Sequence, residues 1–123
     1  MVGIKTFRDL IAWQKAHKMV LEVYRRTKCF PVEEKYGLVS QIRRSASSVA
    51  TNIVEGFKRR SDKEYSYFLN MSEGSLEETK YHLILSRDLG YINVDEFSAV
   101  ENLCDEVGRL LYGLRRKVLS NKL

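Results

Sequence analysis

The stretch Gly37–Gly56, GLVSQIRRSASSVATNIVEG, decides how this chain folds. Leu38, Ile42, Ala46, Val49, Ile53 and then Phe57 recur at spacings of 4, 4, 3, 4 and 4, which is one apolar stripe of an α-helix. Gln41, Arg44, Ser48, Asn52 and Glu55 run beside it at spacings of 3, 4, 4 and 3, a stripe of hydrogen-bonding and charged groups. Between them Ser45 to Ser48 are all small, which lets another helix approach closely. The segment therefore reads as the central helix of a bundle. Its polar seam is either buried between helices or presented to a partner.

Working outward, Pro31 disfavours helix at Phe30 and suits the first turn of the helix that follows. Helix 2 is expected over about 32–58, with Gly37 and Gly56 inside it and close packing at both. Upstream, Thr6-Phe7-Arg8-Asp9 fits a capping box, so helix 1 is expected over about 7–27. That helix has two apolar stripes: Leu10, Trp13, His17, Val20 and Tyr24, and then Ala12, Ala16, Met19 and Val23. Two stripes exceed what one core contact needs, so either this helix is deeply buried or its extra face meets another subunit; the subunit contact is the expectation, through Ala12, Ala16, Met19 and Val23. Downstream, Ser61-Asp62-Lys63-Glu64 is a second capping box. It opens helix 3, about 62–89, with Tyr65, Leu69, Ser72, Leu76, Thr79, Leu83 and Ser86 on one stripe and Gly90 just past its end. Helix 4, about 94–119, has the cleanest heptad: Phe97, Val100, Cys104, Val107, Leu111, Leu114 and Val118. Links of a few residues make consecutive helices antiparallel neighbours. The expected fold is all-α, an up-down-up-down antiparallel four-helix bundle forming one domain over residues 1–123.

Composition agrees. Apolar residues make up 44% of 123, enough for one sizeable core, and there is a single proline. No run approaches the roughly 18 apolar residues of a membrane span. The opening MVGIKTFRDL lacks the apolar core of a signal peptide, so a cytoplasmic protein with free thiols at Cys29 and Cys104 is expected. The net charge of +5 is uneven: residues 1–60 hold 13 Lys/Arg against 5 Asp/Glu, and the remainder 8 against 11. Such asymmetry suits an anionic partner or self-association, and also an ordinary solvated surface.

Several motifs carry a resemblance. Phe7-x-x-Leu10-x-x-Trp13, Phe30-Pro31, Glu34-x-Tyr36-Gly37-Leu38, Gln41-Ile42-Arg43-Arg44-Ser45, Asn52-Ile53-Val54-Glu55-Gly56, Gly74-Ser75-Leu76-x-Glu78 and Leu89-Gly90-Tyr91 resemble the "four helix bundle protein" family. That family is named for reading frames inside intervening sequences of bacterial 23S ribosomal RNA genes. It commonly has a proline shortly after the serine matching Ser48, where this chain has Val49-Ala50. The resemblance implies a left-handed bundle that assembles as a homopentamer. It also implies kinship to the accessory protein of diversity-generating retroelements, a basic pentamer that binds nucleic acid and a reverse transcriptase.

Catalytic chemistry finds little foothold. The two histidines are His17, on an apolar stripe, and His82, four residues after Glu78. Di-iron bundles use Glu-x-x-His pairs, and the sequence has none. No phosphate-binding glycine loop or nucleophile elbow occurs, so no catalytic residue, metal or cofactor is expected.

Two binding features remain. If helices 2 and 3 turn about Arg60, facing residues sum to about 120. That sets Arg43 and Arg44 opposite Glu77 and Leu76, with Glu78 one residue beyond, Ser48 opposite Ser72, and Glu55 opposite Tyr65. The seam of Gln41, Arg43, Arg44, Ser48, Asn52, Glu55, Glu77 and Glu78 reads as an arginine–carboxylate network fixing register or a subunit contact, or as a ligand or RNA site. The second feature is a basic pole. The bundle topology brings together Lys5, Arg8, Lys58, Arg59, Arg60, Lys63, Arg115, Arg116, Lys117 and Lys122, among few acids. The opposite end mixes Arg25, Arg26, Lys28, Lys35 and Arg87 with carboxylates. A positive end suits phosphate backbones of RNA or DNA, although cations at helix C-termini also complement helix dipoles. The function expected is an oligomeric, non-catalytic module that binds nucleic acid or a nucleoprotein partner through this pole. The alternative is a self-assembling protein scaffold without a nucleic-acid role.

Overall fold

The structure, a computed structural model, describes residues 3–120. Four helices account for most of them: α1 (Ile11–Thr27), α2 (Leu38–Phe57), α3 (Asp62–Asp88) and α4 (Val94–Ser120). No strand occurs among the described residues. Each helix packs on its neighbours in sequence, and α1 closes the ring against α4. Cross-helix pairs show each neighbour running antiparallel. Arg43 near the start of α2 meets Thr27 at the end of α1, and Arg26 near the end of α1 meets Glu96 near the start of α4. Gly56 at the end of α2 lies against Tyr65 at the start of α3, and Arg87 at the end of α3 covers the ring of Phe97 in α4. The fold is a four-helix bundle.

The core is built from the periodic stripes. On α2, Leu38, Ile42, Ala46, Val49 and Ile53 are buried, and on α4 Phe97, Val100, Cys104, Val107, Leu111 and Val118 are. On α3 the same spacing buries Leu69, Ser72, Leu76, Thr79, Leu83 and Ser86. Three hydroxyls thus occupy core positions. Each must find a hydrogen bond, because an unpaired buried polar group costs about 1–3 kcal/mol.

Two helices start later than their sequence signals suggest. Thr6 and Asp9 do form a capping box, but it closes one 3-10 turn, Phe7–Asp9. Leu10 is extended, with φ −77° and ψ 123°, and α1 begins at Ile11. The Gln14 amide donates to Arg8 O at 2.8 Å and ties the turn to the helix. Similarly, Pro31 opens a 3-10 turn at Val32–Glu34, and α2 begins only at Leu38. Gly37 is therefore the residue before α2, not an interior glycine, and its φ of −110° with ψ −112° breaks the helix there. The Glu34 carboxylate accepts from Leu38 N at 3.1 Å and serves as the cap. The Leu38 amide and then the Tyr91 hydroxyl hold that carboxyl below its ordinary value. Gly56 does need to be small. A Cβ there would stand 2.9 Å from Phe68 Cβ and 3.1 Å from the Tyr65 ring.

Helix α1 corrects the sequence reading. Ala12, Ala16, Met19 and Val23, expected at a contact between subunits, point into this chain's own core at 0–5% exposure. The two alanines let α1 sit close to its neighbours. Trp13 is only partly buried at the edge, its ring flat against His17 at 5.0 Å and edge-on to Phe7 at 5.0 Å. Large aromatics tolerate a boundary position where small residues set the helix separation.

Candidate nucleic-acid interface

The polar seam between α2 and α3 forms as two separate features. Inside, Thr79 Oγ1 donates to Ser45 Oγ at 2.9 Å, and Ser72 Oγ donates to the backbone oxygen of Val49 at 2.8 Å. Further out, the Ser48 and Ser75 hydroxyls are 2.8 Å apart, and the Asn52 amide donates to Ser48 at O and Oγ. At the surface, Arg44 pairs with Glu78 and also donates to Gln41 Oε1 at 3.0 Å. His82 Nε2 lies 3.3 Å from the same Glu78 oxygen. Burial works to raise the Glu78 carboxyl, but hydrogen bonds from Arg44 and His82 outweigh it and leave it below its ordinary value. Arg44 remains 54% exposed, so this is a surface pair.

The other expected seam members leave it. Arg43 turns towards α1, donating to Thr27 Oγ1 at 2.9 Å and stacking over the Tyr24 ring at 4.5 Å. Glu77 reaches Lys80 on its own helix, and Glu55 reaches Arg59 just past the end of its own. The facing residues sum to 121–124, slightly beyond the expected register, which brings Glu78 instead of Glu77 to the arginine. Ser45, Ser72, Ser75, Thr79 and His82 belong to the seam without having been assigned to it. The signal for Ser72 and Thr79 was hydroxyls on the apolar stripe of α3.

The basic pole assembles where the helix ends converge. A pocket of about 550 Å³ there is bounded by Ile4 and Ile11 before and at the start of α1, Phe57 at the end of α2, Tyr65 on α3, and Leu114 and Val118 on α4. Around it Lys5, Arg8, Lys58, Arg60, Lys63, Arg116 and Lys117 are exposed, and none forms an ion pair among the described residues. Two expected members are neutralised: Arg59 pairs with Glu55 at 2.9 Å and Arg115 with Glu73. Arg116 donates to Tyr112 Oη at 3.1 Å. Lys122 lies outside the described residues. The Asp9 carboxylate, the acid closest in sequence to Lys5 and Arg8, is occupied by the Lys5 and Thr6 amides, and these hold it below its ordinary value.

The opposite end splits in two. Arg25 and Arg26 are paired with Glu22 and Glu96, and Arg87 with Asp88. Lys28 and Lys35 form no ion pair among the described residues. The expected mixture with carboxylates therefore gives ion pairs to the three arginines and not to these two lysines.

No group of three or more His, Cys, Asp or Glu among the described residues is placed to hold a metal ion. No helix among them is long and apolar enough to cross a membrane.

The molecule is thus an antiparallel helical bundle with a cationic end and a hydroxyl-rich seam. The chain belongs to the 23S rRNA-intervening sequence protein family, whose sequence profile matches residues 8–113. Among solved structures it is similar to a protein of unknown function from the S23 ribosomal protein family of Bacteroides thetaiotaomicron VPI-5482. The two share 23% identity and a TM-score of 0.79 over 85% of this chain and 98% of the other, a likeness of fold. No curated protein matches the sequence.

Proposed function

We propose that the protein is a non-catalytic, self-associating bundle that binds the phosphate backbone of a nucleic acid, or of a nucleoprotein, through its basic pole. Seven exposed cations from three separated stretches, with no ion-pair partner among the described residues, carry this reading: Lys5, Arg8, Lys58, Arg60, Lys63, Arg116 and Lys117. Helix-dipole complementation accounts for Lys58, Arg116 and Lys117 near helix C-termini but not for the other four. Lys and Arg on flexible stems read phosphate and carry little base information. Free thiols at Cys29 and Cys104 fit a cytoplasmic setting.

Self-association has a different surface from the one expected. The outer face of α3 exposes Tyr67, Met71, Tyr81 and Ile84 at 38–60%, an apolar strip the single chain leaves uncovered. We propose this strip as a contact between copies, in the pentamer that the family resemblance implies. Light scattering should give a mass several times 14.3 kDa, and Tyr81→Glu should lower it. A monomeric wild type at tens of micromolar would remove the proposal.

Fluorescence anisotropy with labelled RNA and DNA tests the pole. The slope of log K against log salt should be about −0.9 per phosphate neutralised on a duplex. Reversing Lys58, Arg60 and Lys63 to glutamate should weaken binding of both nucleic acids at least tenfold without altering helicity. Unchanged affinity in that variant, or no binding by wild type at low salt, would leave a protein-binding scaffold as the better account.

A further inference from the structure

We infer that a second surface, the groove along the α1–α2 seam at the end away from the basic pole, takes single-stranded nucleic acid. Phosphates would sit on Lys28, Lys35 and Arg43, and unpaired bases would stack on Tyr24 and Tyr36. The inference rests on the nucleic-acid reading but concerns different residues.

Two adjoining hollows of about 370 and 450 Å³ share Lys35, Val39 and Arg43 as a common wall. One continues to Lys28, the other to Tyr24, Tyr36 and Arg44. No carboxylate lines either hollow. Of the acids at this end, Glu34 is bonded by Leu38 N and Tyr91 Oη, Glu22 by Arg25 and Arg26, and Glu96 by Arg26, while Glu33 and Asp95 lie outside both linings. The lining itself is therefore cationic, with Lys28, Lys35 and Arg43 outside any ion pair among the described residues.

Its cations are held differently. Arg43 is fixed, its guanidinium donating to Thr27 Oγ1 at 2.9 Å and to Tyr24 O at 3.4 Å. Those bonds also satisfy the C-terminal end of α1, a structural role in its own right. They use only part of a fork with five N–H donors, so others remain for an anion. Lys28 and Lys35 are exposed point charges with no ion-pair partner among the described residues.

The aromatics separate this groove from the pole. Tyr36 is 87% exposed and packs under nothing but the Lys35 ammonium, 5.4 Å from its ring centre. A tyrosine left almost wholly in water gains nothing from burial in the folded chain. Tyr24 is 40% exposed on the same hollow; the Arg43 guanidinium covers one face of its ring, so Tyr36 is the principal stacking platform. Exposed aromatic rings beside a cationic track are how proteins hold single strands, whose unstacked bases offer a π-face, whereas a duplex keeps its bases stacked within.

The test uses the full chain with labelled oligothymidylate and a mixed-sequence duplex, read by anisotropy. Tyr36→Ala should weaken single-strand binding about tenfold, in line with loss of one stacked base, and leave duplex binding unchanged. Tyr36→Phe should retain it, since the ring is kept. The pair Lys28→Glu and Lys35→Glu should lose single-strand binding, while reversal of the pole residues should weaken duplex and single strand alike. All these positions are exposed, so circular dichroism should be unchanged. Loss on pole reversal with wild-type affinity in the groove variants would overturn this inference and leave the pole reading standing. No binding of either nucleic acid by wild type at low salt would overturn both. Sensitivity to the lysines but not to Tyr36 would overturn the single-strand assignment, and displacement by polyglutamate as efficient as by oligothymidylate would point to an acidic protein instead.

Discussion

The α1–α4 seam and the α2–α3 seam hold the same bundle by different means. Across the first, Met19 and Cys104 touch sulfur to sulfur at 3.5 Å in the core, and charged pairs such as Lys15–Glu106 stay at the rim. Across the second, which is the most extensive helix–helix contact, hydroxyls meet inside and Gly56 admits Phe68 and Tyr65. Apolar contact is non-directional, so the first seam supplies burial without fixing how far one helix slides on the other. Hydrogen bonds at fixed positions give the second seam its axial register. A bundle with both needs strength from one and position from the other.

That contrast sets a ranking of mutations. The largest loss should come from Met19→Ala, about 2–5 kcal/mol by denaturant unfolding, as for other large-to-small core changes. A near-neutral result would mean that α1 packs less tightly than its 0% exposure indicates. Next, Gly56→Ala should cost about 1–3 kcal/mol, because the new methyl meets Phe68 Cβ, which cannot swing away. Stabilisation instead would show the two helices able to part. Thr79→Val should cost about 1 kcal/mol, since Ser45 keeps its bond to Ile42 O at 3.2 Å. A far larger loss would make the hydroxyl ladder a source of strength and erase the contrast. The smallest effect belongs to Arg44→Ala, at most about 1 kcal/mol, because exposed ion pairs contribute little. Its pairing with Glu78 should fade only as pH falls below the ordinary carboxylate range. The Glu78 carboxyl is lowered in the folded protein, so any stability from it is present above that range and lost on acidification.

Helix α4 was fully legible, because a 3-4 alternation of large apolar residues permits only one inward face. Helix α1 was not, because two stripes of similar hydropathy compete and only neighbouring helices decide between them. Side-chain size carried the missing information: Ala12 and Ala16 are useless at a surface contact but allow close approach in a core. The late start of α2 was hidden because Pro31 begins a 3-10 turn as readily as an α-helix, and spacing alone does not show that Glu34 bonds the Leu38 amide. At the pole, counting charges in sequence picked out seven cations that are exposed and form no ion pair among the described residues. It could not see that Glu55 and Glu73 would take up Arg59 and Arg115, nor that Lys28 and Lys35 would face no acid. Pairing depends on distances of a few ångströms, which spacing along a chain does not encode.

The buried thiol of Cys104 turns the bundle into its own clock. Burial pushes this thiol up to about 12, from an ordinary 9.0, and the nearby Lys80 only partly opposes the shift. The reactive thiolate is therefore almost absent while the helices stay together, whereas Cys29 is exposed. A thiol reagent at neutral pH should modify Cys29 at once and Cys104 only as often as α1 and α4 separate. The second phase then times a breathing motion that no equilibrium melt resolves. Because the folded thiol ionises later than the unfolded one, raising the pH above about 9 should also favour the open chain. The second phase should accelerate over that range, and Met19→Ala, which loosens the sulfur contact, should bring the acceleration forward.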